Sequence, residues 1–276
     1  MKIGCPTEIK RHEYRVGLVP SSVRELTDRG HQVLIQSGAG NAINFSDEDY
    51  INVGAEIAET AAQVFEKSEM IVKVKEPQPS EFELLREGQI LFTYLHLAAD
   101  KKQAEGLMKS GCVAIAYETV TDKEGRLPLL APMSEIAGRL SIQVGAHLLQ
   151  KHCGGTGRLI GGVPGVLSSK VLILGGGVSG FNAARIATGM EADVTILERN
   201  PDRMRFLDDY FSGRAQVVYS NTDTIERYVQ EIDIVIGAVL IPGASAPHLI
   251  REEMLSSMIP GTVVVDVAID QGGCFE

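Results

Sequence analysis

Apolar residues along the chain follow two alternating periodicities. Short β-branched runs predict strands at 2–7 (KIGCPT), 31–37 (HQVLIQS), 70–75 (MIVKVK), 90–96 (ILFTYLH) and 113–119 (VAIAYET). Helices are predicted between them at 20–30, 60–68, 80–87 and 100–110. The stretch PSSVRELTDRG opens on Pro and Ser and stops at Gly30, which is how helices begin and end. A longer stretch, PMSEIAGRLSIQVGAHLLQKH at 132–152, sets Ile136, Leu140, Val144 and Leu148 four residues apart, on one helical face. The glycine-loaded CGGTGRLIGGVPG that follows predicts loops or a short hairpin. From Lys170 a second alternation begins, with strands at 170–175, 193–198, 215–220, 232–239 and 262–269 and helices starting near 178, 201, 222 and 251. Strands that alternate with helices in this way form mainly parallel sheets covered on both faces. The expected fold class is therefore α/β, with two doubly wound domains, 1–131 and 132–276, the second led by a linker helix.

Composition narrows the function classes. Of 276 residues, 44% are hydrophobic and 22% charged, as in a water-soluble globular protein. The longest clean apolar run, IVIGAVLI at 234–241, is far short of the roughly 18 residues that a membrane helix needs. The N-terminus has no apolar core of signal-peptide length, so a cytoplasmic protein is expected. A net charge of −10 argues against nucleic acid or an anionic membrane as a partner, so any anion must be bound by a local site. Cys5, Cys112, Cys153 and Cys274 lack metal-ligand or redox spacing; reduced, mostly buried thiols and no metal are expected.

The strongest local signal is KVLILGGGVSGFNAARIATGMEADVTILER. Gly175, Gly177 and Gly180 form a GxGxxG run that follows a strand and opens a helix, and Glu198 ends the next strand. Each glycine has a mechanical reason: a tight turn, close approach of backbone to a pyrophosphate, and close helix–strand packing. The helix N-terminus adds free N–H donors and partial positive charge, and the acid accepts from ribose hydroxyls. The second domain thus reads as a Rossmann dinucleotide-binding domain. Glu198 favours NAD because it would repel a 2′-phosphate, while Arg199 and Arg203 could favour NADP or simply be solvated helix-start charges. Ligands of such sheets sit at the carboxyl ends of strands, which directs attention to Val239, Leu240, Val267, Ala268, Ile269 and Asp270.

Reactive side chains also collect at the predicted strand ends of the first domain. Arg15 follows the first strand, Lys75 ends the third and His96 ends the fourth. An Arg and Lys pair suits a substrate carboxylate, the guanidinium gripping both oxygens and the ammonium adding a point charge. A histidine titrates near neutrality and can move a proton as a hydride leaves. Asp270 could orient water or stabilise an iminium cation. The plainer readings are surface charge for Arg15, Lys73 and Lys75, and a satisfied core residue for His96.

The stretches MKIGCPTEIKRHEYRVGLVP, HQVLIQSGAG, KVKEP, LHLAAD, APMSEIAGRLS, GGVPGV, LGGGVSGFNAA, GAVLIPG and VDVAIDQGGCFE together resemble the alanine dehydrogenase family, shared with the NAD-binding part of proton-translocating transhydrogenase. The combination of KVKEP, LHLAAD and DQGGC resembles the soluble dehydrogenases more than the transhydrogenases. The resemblance implies reversible oxidative deamination of L-alanine to pyruvate and ammonium with NAD, in a cytoplasmic homohexamer with an amino-acid cleft between its domains. It implies Arg15 and Lys75 as substrate-carboxylate ligands and His96 and Asp270 as proton donors and acceptors. It also implies Ser134, Val178, Ser179, Glu198, Arg203, Ser220, Val239, Leu240 and Val267 to Asp270 as cofactor contacts. One departure is Glu198, where family members more often carry Asp. Another is the end of the chain, since family chains continue past FE and return to complete the first domain. The expectation from that departure is a C-terminally truncated polypeptide, poorly stable and weakly active by itself. The alternatives are a transhydrogenase-type NAD-binding subunit, a saccharopine dehydrogenase-like enzyme with a larger substrate, and a non-catalytic remnant that binds nucleotide or co-assembles with complete subunits.

Overall fold

Every strand pair in both sheets is parallel, as the strand–helix alternation predicts. The computed structural model describes residues 1–239, 247–269 and 272–276, in two units, Met1–Leu127 and Pro128–Glu276. The first unit runs β1 (Lys2–Cys5), α1 (Pro20–Thr27), β2 (Gln32–Gln36), α2 (Asp47–Ile51), β3 (Glu56–Ala58) and α3 (Ala61–Lys67). It continues through β4 (Met70–Val72), α4 (Pro79–Phe82), β5 (Ile90–Thr93), α5 (Lys101–Ser110) and β6 (Val113–Ala116). Its sheet has the order β3-β2-β1-β4-β5-β6. The chain leaves β1 in one direction and later returns to β4 on its other side, so β1 and β4 flank a topological switch point. One face of the sheet packs Ile3, Val33 and Ile35 against Val23 of α1 and Tyr50 of α2; another cluster packs Ile71 and Leu91 with Val64 and Phe65 of α3.

Two elements of this unit carry no usable periodicity. β3 is three residues long and α2 is five, too short for either repeat to show. Counting β3, the strand before Lys75 is the fourth of the chain and that before His96 the fifth. Both strands also stop early: Lys75 and His96 lie three residues beyond Val72 and Thr93, in loops.

The second unit opens with α6 (Ala131–Leu148), then β7 (Lys170–Leu174), α7 (Val178–Gly189), β8 (Asp193–Glu198), α8 (Pro201–Phe211), β9 (Gln216–Tyr219), α9 (Thr222–Val229), β10 (Ile234–Gly237), α10 (Glu252–Leu255) and β11 (Val263–Asp266). The sheet order is β11-β10-β7-β8-β9, with the switch point between β7 and β10. Side chains alternate across β7: Val171 and Ile173 join the cluster that includes Ala183 and Ala184 of α7, while Leu172 and Leu174 join Ile225 and Val229 of α9. A strand buried on both faces reads as an unbroken apolar run, which is what VLIL at 171–174 is. Within the glycine-rich connection, Val163 and Val166 form an antiparallel bridge, the short hairpin expected there.

The long helix departs from expectation. Its apolar stripe, Ile136, Leu140, Val144 and Leu148, is 39–55% exposed, and the buried positions are Gly138, Ser141, Ile142 and Gly145. Small residues win this face because α6 lies almost against backbone: a Cβ on Gly138 would sit 2.1 Å from the carbonyl oxygen of Ser179. Among the cysteines, Cys5 and Cys274 are buried, Cys112 is half-buried and Cys153 is exposed, and all four are free thiols.

Candidate active site

In the second unit the glycine run does what its spacing predicts. Gly175 turns the chain out of β7 with φ +91°, a left-handed conformation that L side chains rarely adopt. A Cβ on it would also meet Val239 Cγ2 at 2.8 Å, so the loop lies against the residue that follows β10. Gly180 is closed in harder, its would-be Cβ 1.8 Å from the Gly175 carbonyl oxygen. Gly177 is the opposite: a Cβ there would meet no heavy atom within 4 Å. As the N-terminal cap of α7, Gly177 brings no side chain to the first-turn N–H groups of Val178, Ser179 and Gly180. An open approach, uncapped donors and the positive end of a helix form a cradle that fits a pyrophosphate.

Three further groups fix this loop. The Glu198 carboxylate accepts the Gly176 N–H at 2.9 Å through Oε2, and the Arg199 and Asn200 N–H groups at 2.6 and 2.9 Å through Oε1. Three of the four carboxylate lone pairs are used, and the second on Oε2 can still accept from a ribose hydroxyl. Arg203 donates from Nε to the Gly176 carbonyl at 2.7 Å, with its guanidinium 4.6 Å from the Phe206 ring centre and 5.4 Å from that of Phe181. Burial lowers its pKa, which the charge of Glu198 partly offsets. Arg203 is therefore no freely solvated charge. Ser134 lies on α6 one turn before Gly138, the point at which that helix meets Ser179. Ser220 is buried just beyond β9, its N–H on the Glu198 carbonyl and its own carbonyl accepting from Arg199 Nε at 3.4 Å.

Val239 follows β10, and Val267, Ala268 and Ile269 follow β11, whose last residue is Asp266. The strands end two or three residues earlier than their apolar runs. Asp266 closes the connection after β11, its carboxylate accepting the Ala268 N–H at 2.9 Å and the Cys274 N–H at 2.8 Å. The Val239 carbonyl accepts from Cys274 Sγ at 3.4 Å. Leu240 and Asp270 lie outside the described residues.

In the first unit Arg15, Lys75 and His96 occupy the loops after β1, β4 and β5, three adjacent strands that include both sides of the switch point. A different carboxylate holds each. Glu13 accepts the Arg15 N–H and Nε at 3.0 and 2.8 Å through Oε1, and Nη2 at 2.5 Å through Oε2. Burial alone would raise the Glu13 pKa, but its bonds to Arg15 outweigh burial and hold it below the ordinary value; the same pair raises Arg15. Glu8 accepts the Val74 and Lys75 N–H groups at 2.6 and 3.4 Å, and the Lys75 carbonyl accepts from Thr93 Oγ1 at 2.9 Å. Glu118 accepts the His96 N–H at 2.6 Å and the Leu95 N–H at 3.1 Å.

His96 has φ +50°, a strained conformation for a non-glycine residue that the Glu118 bonds sustain. Its ring lies nearly parallel to that of Tyr94, 12° apart with centroids at 6.1 Å, and Tyr94 meets Tyr117 edge-on. Its Nδ1 is buried and has no hydrogen-bond partner among the described residues, unlike a satisfied core histidine. Lys73 is not the surface charge of the plainer reading: it is buried and pairs with Glu8 and Glu81. Glu8, Glu118 and Asp266 carried no motif in the sequence; each accepts backbone amides, a use that has no residue signature, while Glu13 adds the Arg15 guanidinium two residues away.

The fold and these sites define a two-unit α/β protein whose second unit is a Rossmann-type dinucleotide-binding domain. Two family models cover almost the whole chain: Alanine dehydrogenase/PNT, N-terminal domain, over residues 4–137, and Alanine dehydrogenase/PNT, C-terminal domain, over residues 141–276. The chain belongs to the alanine dehydrogenase/PNT family. It is 55% identical to an alanine dehydrogenase of Halomonas elongata and 54% identical to one of Mycolicibacterium smegmatis, in each case over all of this chain and 74% of the relative. A solved L-alanine dehydrogenase superposes with a TM-score of 0.91 at 51% identity, over all of this chain and 76% of that one. A transhydrogenase from Sinorhizobium meliloti superposes at 0.83 with 25% identity, over all of this chain and 81% of that one. Family and Rossmann-type fold together imply a nicotinamide nucleotide cofactor. Among the described residues no helix is long and apolar enough to cross a membrane.

Proposed function

We propose that the chain catalyses NAD-linked oxidative deamination of L-alanine to pyruvate and ammonium, and the reverse reductive amination. The observation that carries this reading is the trio of Arg15, Lys75 and His96 on the loops after three adjacent parallel strands, flanking a switch point. Two cations suit a small carboxylate, and a histidine with a buried, unsatisfied ring nitrogen suits proton transfer. The names of the relatives at 52–55% identity supply the substrate.

Arg15 and Lys75 grip the carboxylate and fix the Cα–H direction. The bound nicotinamide supplies the hydride acceptor. His96 moves the proton that accompanies loss of the hydride and the later attack of water on the iminium carbon. Asp270 is assigned to that cation or its attacking water. The cradle residues Gly175, Gly177, Val178, Ser179 and Gly180 hold the pyrophosphate, with Ser134, Ser220, Val239, Leu240, Val267, Ala268 and Ile269 around the rest of the dinucleotide. Glu198 takes the ribose hydroxyls. NAD is preferred to NADP because Glu198 repels a 2′-phosphate, while Arg203 and Arg199 already donate to Gly176 and Ser220 carbonyls.

Under the same reading the protein works in the cytoplasm as a homohexamer. The exposed apolar stripe of α6 supports an assembled state, which light scattering checks. The function is tested by following NADH formation from NAD and L-alanine at alkaline pH, with glutamate, lysine and serine for comparison. Alanine turning over fastest supports the reading. NADH binding with no turnover of any amino acid refutes it and favours a nucleotide-binding role.

A further inference from the structure

Three charged side chains are buried together beneath the Lys75 loop. Glu8, Lys73 and Glu81 have side chains no more than 3% exposed. Lys73 Nζ lies 3.3 Å from Glu8 Oε2 and donates to Glu81 Oε1 at 2.9 Å. Such a cluster is a poor way to gain stability, because desolvating the ions costs about as much as their attraction returns. What it does gain is geometric. The two carboxylates that meet on Lys73 also accept the N–H groups of Val74, Lys75 and Gln78, so the backbone from 73 to 78 is stitched to one buried cation. Thr93, itself fully buried, donates to the Lys75 carbonyl from the neighbouring strand. The peptide groups on both sides of the Lys75 Cα are thereby fixed.

We infer that Glu8 is a positioning residue for Lys75, held in place by Lys73; this rests on the reading of Lys75 as a ligand of the substrate carboxylate. The chemistry follows from reach. A lysine on a four-carbon stem supplies a well-placed point charge only if its backbone is immobile, because the stem itself is flexible. The Glu8 carboxylate offers acceptors to two successive amides and to Lys73; an amide in its place keeps one acceptor and turns N–H donors toward Lys73 or Val74.

The test compares Glu8→Gln with wild type and Lys75→Ala in the reductive direction, with pyruvate, ammonium and NADH. Glu8→Gln is expected to raise KM for pyruvate at least about fivefold, with kcat within about threefold, the signature of lost substrate binding. The Kd for NADH stays within about twofold, because the cradle is in the other unit. Added to Lys75→Ala, Glu8→Gln costs less than about twofold more in kcat/KM, since the residue it positions is gone. A purely structural role predicts instead that the two losses multiply, and that result overturns the inference, as does a smaller rise in KM. Should Glu8→Gln show no cooperative melt, Thr93→Val carries the test, with an expected rise in KM of at least about threefold that is likewise absent in the Lys75→Ala background. If Lys75→Ala itself leaves KM for pyruvate unchanged, both the role of Lys75 and this inference fall. If only the Glu8 and Thr93 variants are silent, the inference alone falls.

Discussion

Gly180→Ala adds one methyl group at the tightest point of the glycine run. The new Cβ would lie 1.8 Å from the carbonyl oxygen of Gly175 and 3.0 Å from its carbonyl carbon. Ordinary contact is about 3.5 Å, and the clash is with backbone, which no rotamer change relieves. Helix α7 must therefore lift from the end of β7 by an ångström or more. Overpacking of this kind costs about 1–3 kcal/mol, or a fall in Tm of roughly 2–12 °C at some 2–4 °C per kcal/mol for a chain of this size. The same shift withdraws the first-turn N–H groups from the pyrophosphate. Losing two hydrogen bonds to a charged group, each about 1.5–3 kcal/mol, weakens NADH binding by two orders of magnitude or more.

Gly177→Ala is the control. It meets nothing within 4 Å and has φ −64°, so the protein should melt within about 1 °C of wild type. NADH should still bind poorly, because the methyl group occupies the space through which a pyrophosphate approaches. Scanning fluorimetry and titration of NADH fluorescence read both quantities. Gly180→Ala with wild-type Tm and NADH affinity would falsify the packing argument; Gly177→Ala with wild-type affinity refutes the cradle.

Three further outcomes follow from single contacts. Glu118→Ala removes the acceptor of the Leu95 and His96 amides and releases a left-handed conformation worth about 1–3 kcal/mol. Turnover of alanine is expected to fall about tenfold at unchanged NADH affinity, and an unchanged kcat rejects the role given to Glu118. Asp233 is fully buried and accepts the Lys170 N–H at 2.9 Å and Arg158 Nη1 at 3.2 Å. Asp233→Ala strands the Lys170 N–H, while half-exposed Arg158 turns to water, at a cost of about 1–3 kcal/mol, and a Tm lowered by less than about 2 °C refutes a stabilising role for this buried carboxylate. Glu13 titrates below its ordinary 4.5 in the folded state. The folded state then binds fewer protons than the unfolded one, so the contribution is present above pH 4.5 and lost as pH falls through the depressed value. The Tm gap between wild type and Arg15→Met should close on acidification below pH 4.5; a gap that is constant or widens rejects the pairing as its source.

How much was legible in the sequence depended on how local the physics was. The glycine run, its helix and Glu198 were readable because one strand–turn–helix–strand segment contains every part. Arg15, Lys75 and His96 were readable as loop residues after strands, though their strands stop earlier and one strand was uncounted. The acids that hold them were not. Glu8 meets Val74 across 66 residues and Glu118 meets His96 across 22, and an acid that serves backbone amides has no residue-type partner to betray it. The stripe of α6 failed for a related reason. Periodicity shows that a face is apolar, but here glycines on another face allow backbone contact with α7, and that contact decided which side is buried.

The sequence by itself determined the alternation of strands and helices, the parallel sheets and the dinucleotide loop, because short-range sterics and hydrophobic period dictate each one. Tertiary structure alone decided strand order, and with it that these three loops follow adjacent strands, two of which flank a switch point. It also decided the burial of Lys73 between two acids and the amide-binding work of Glu8 and Glu118. Those outcomes depend on which distant backbone groups folding brings within hydrogen-bond reach, and no window of neighbouring residues contains that information.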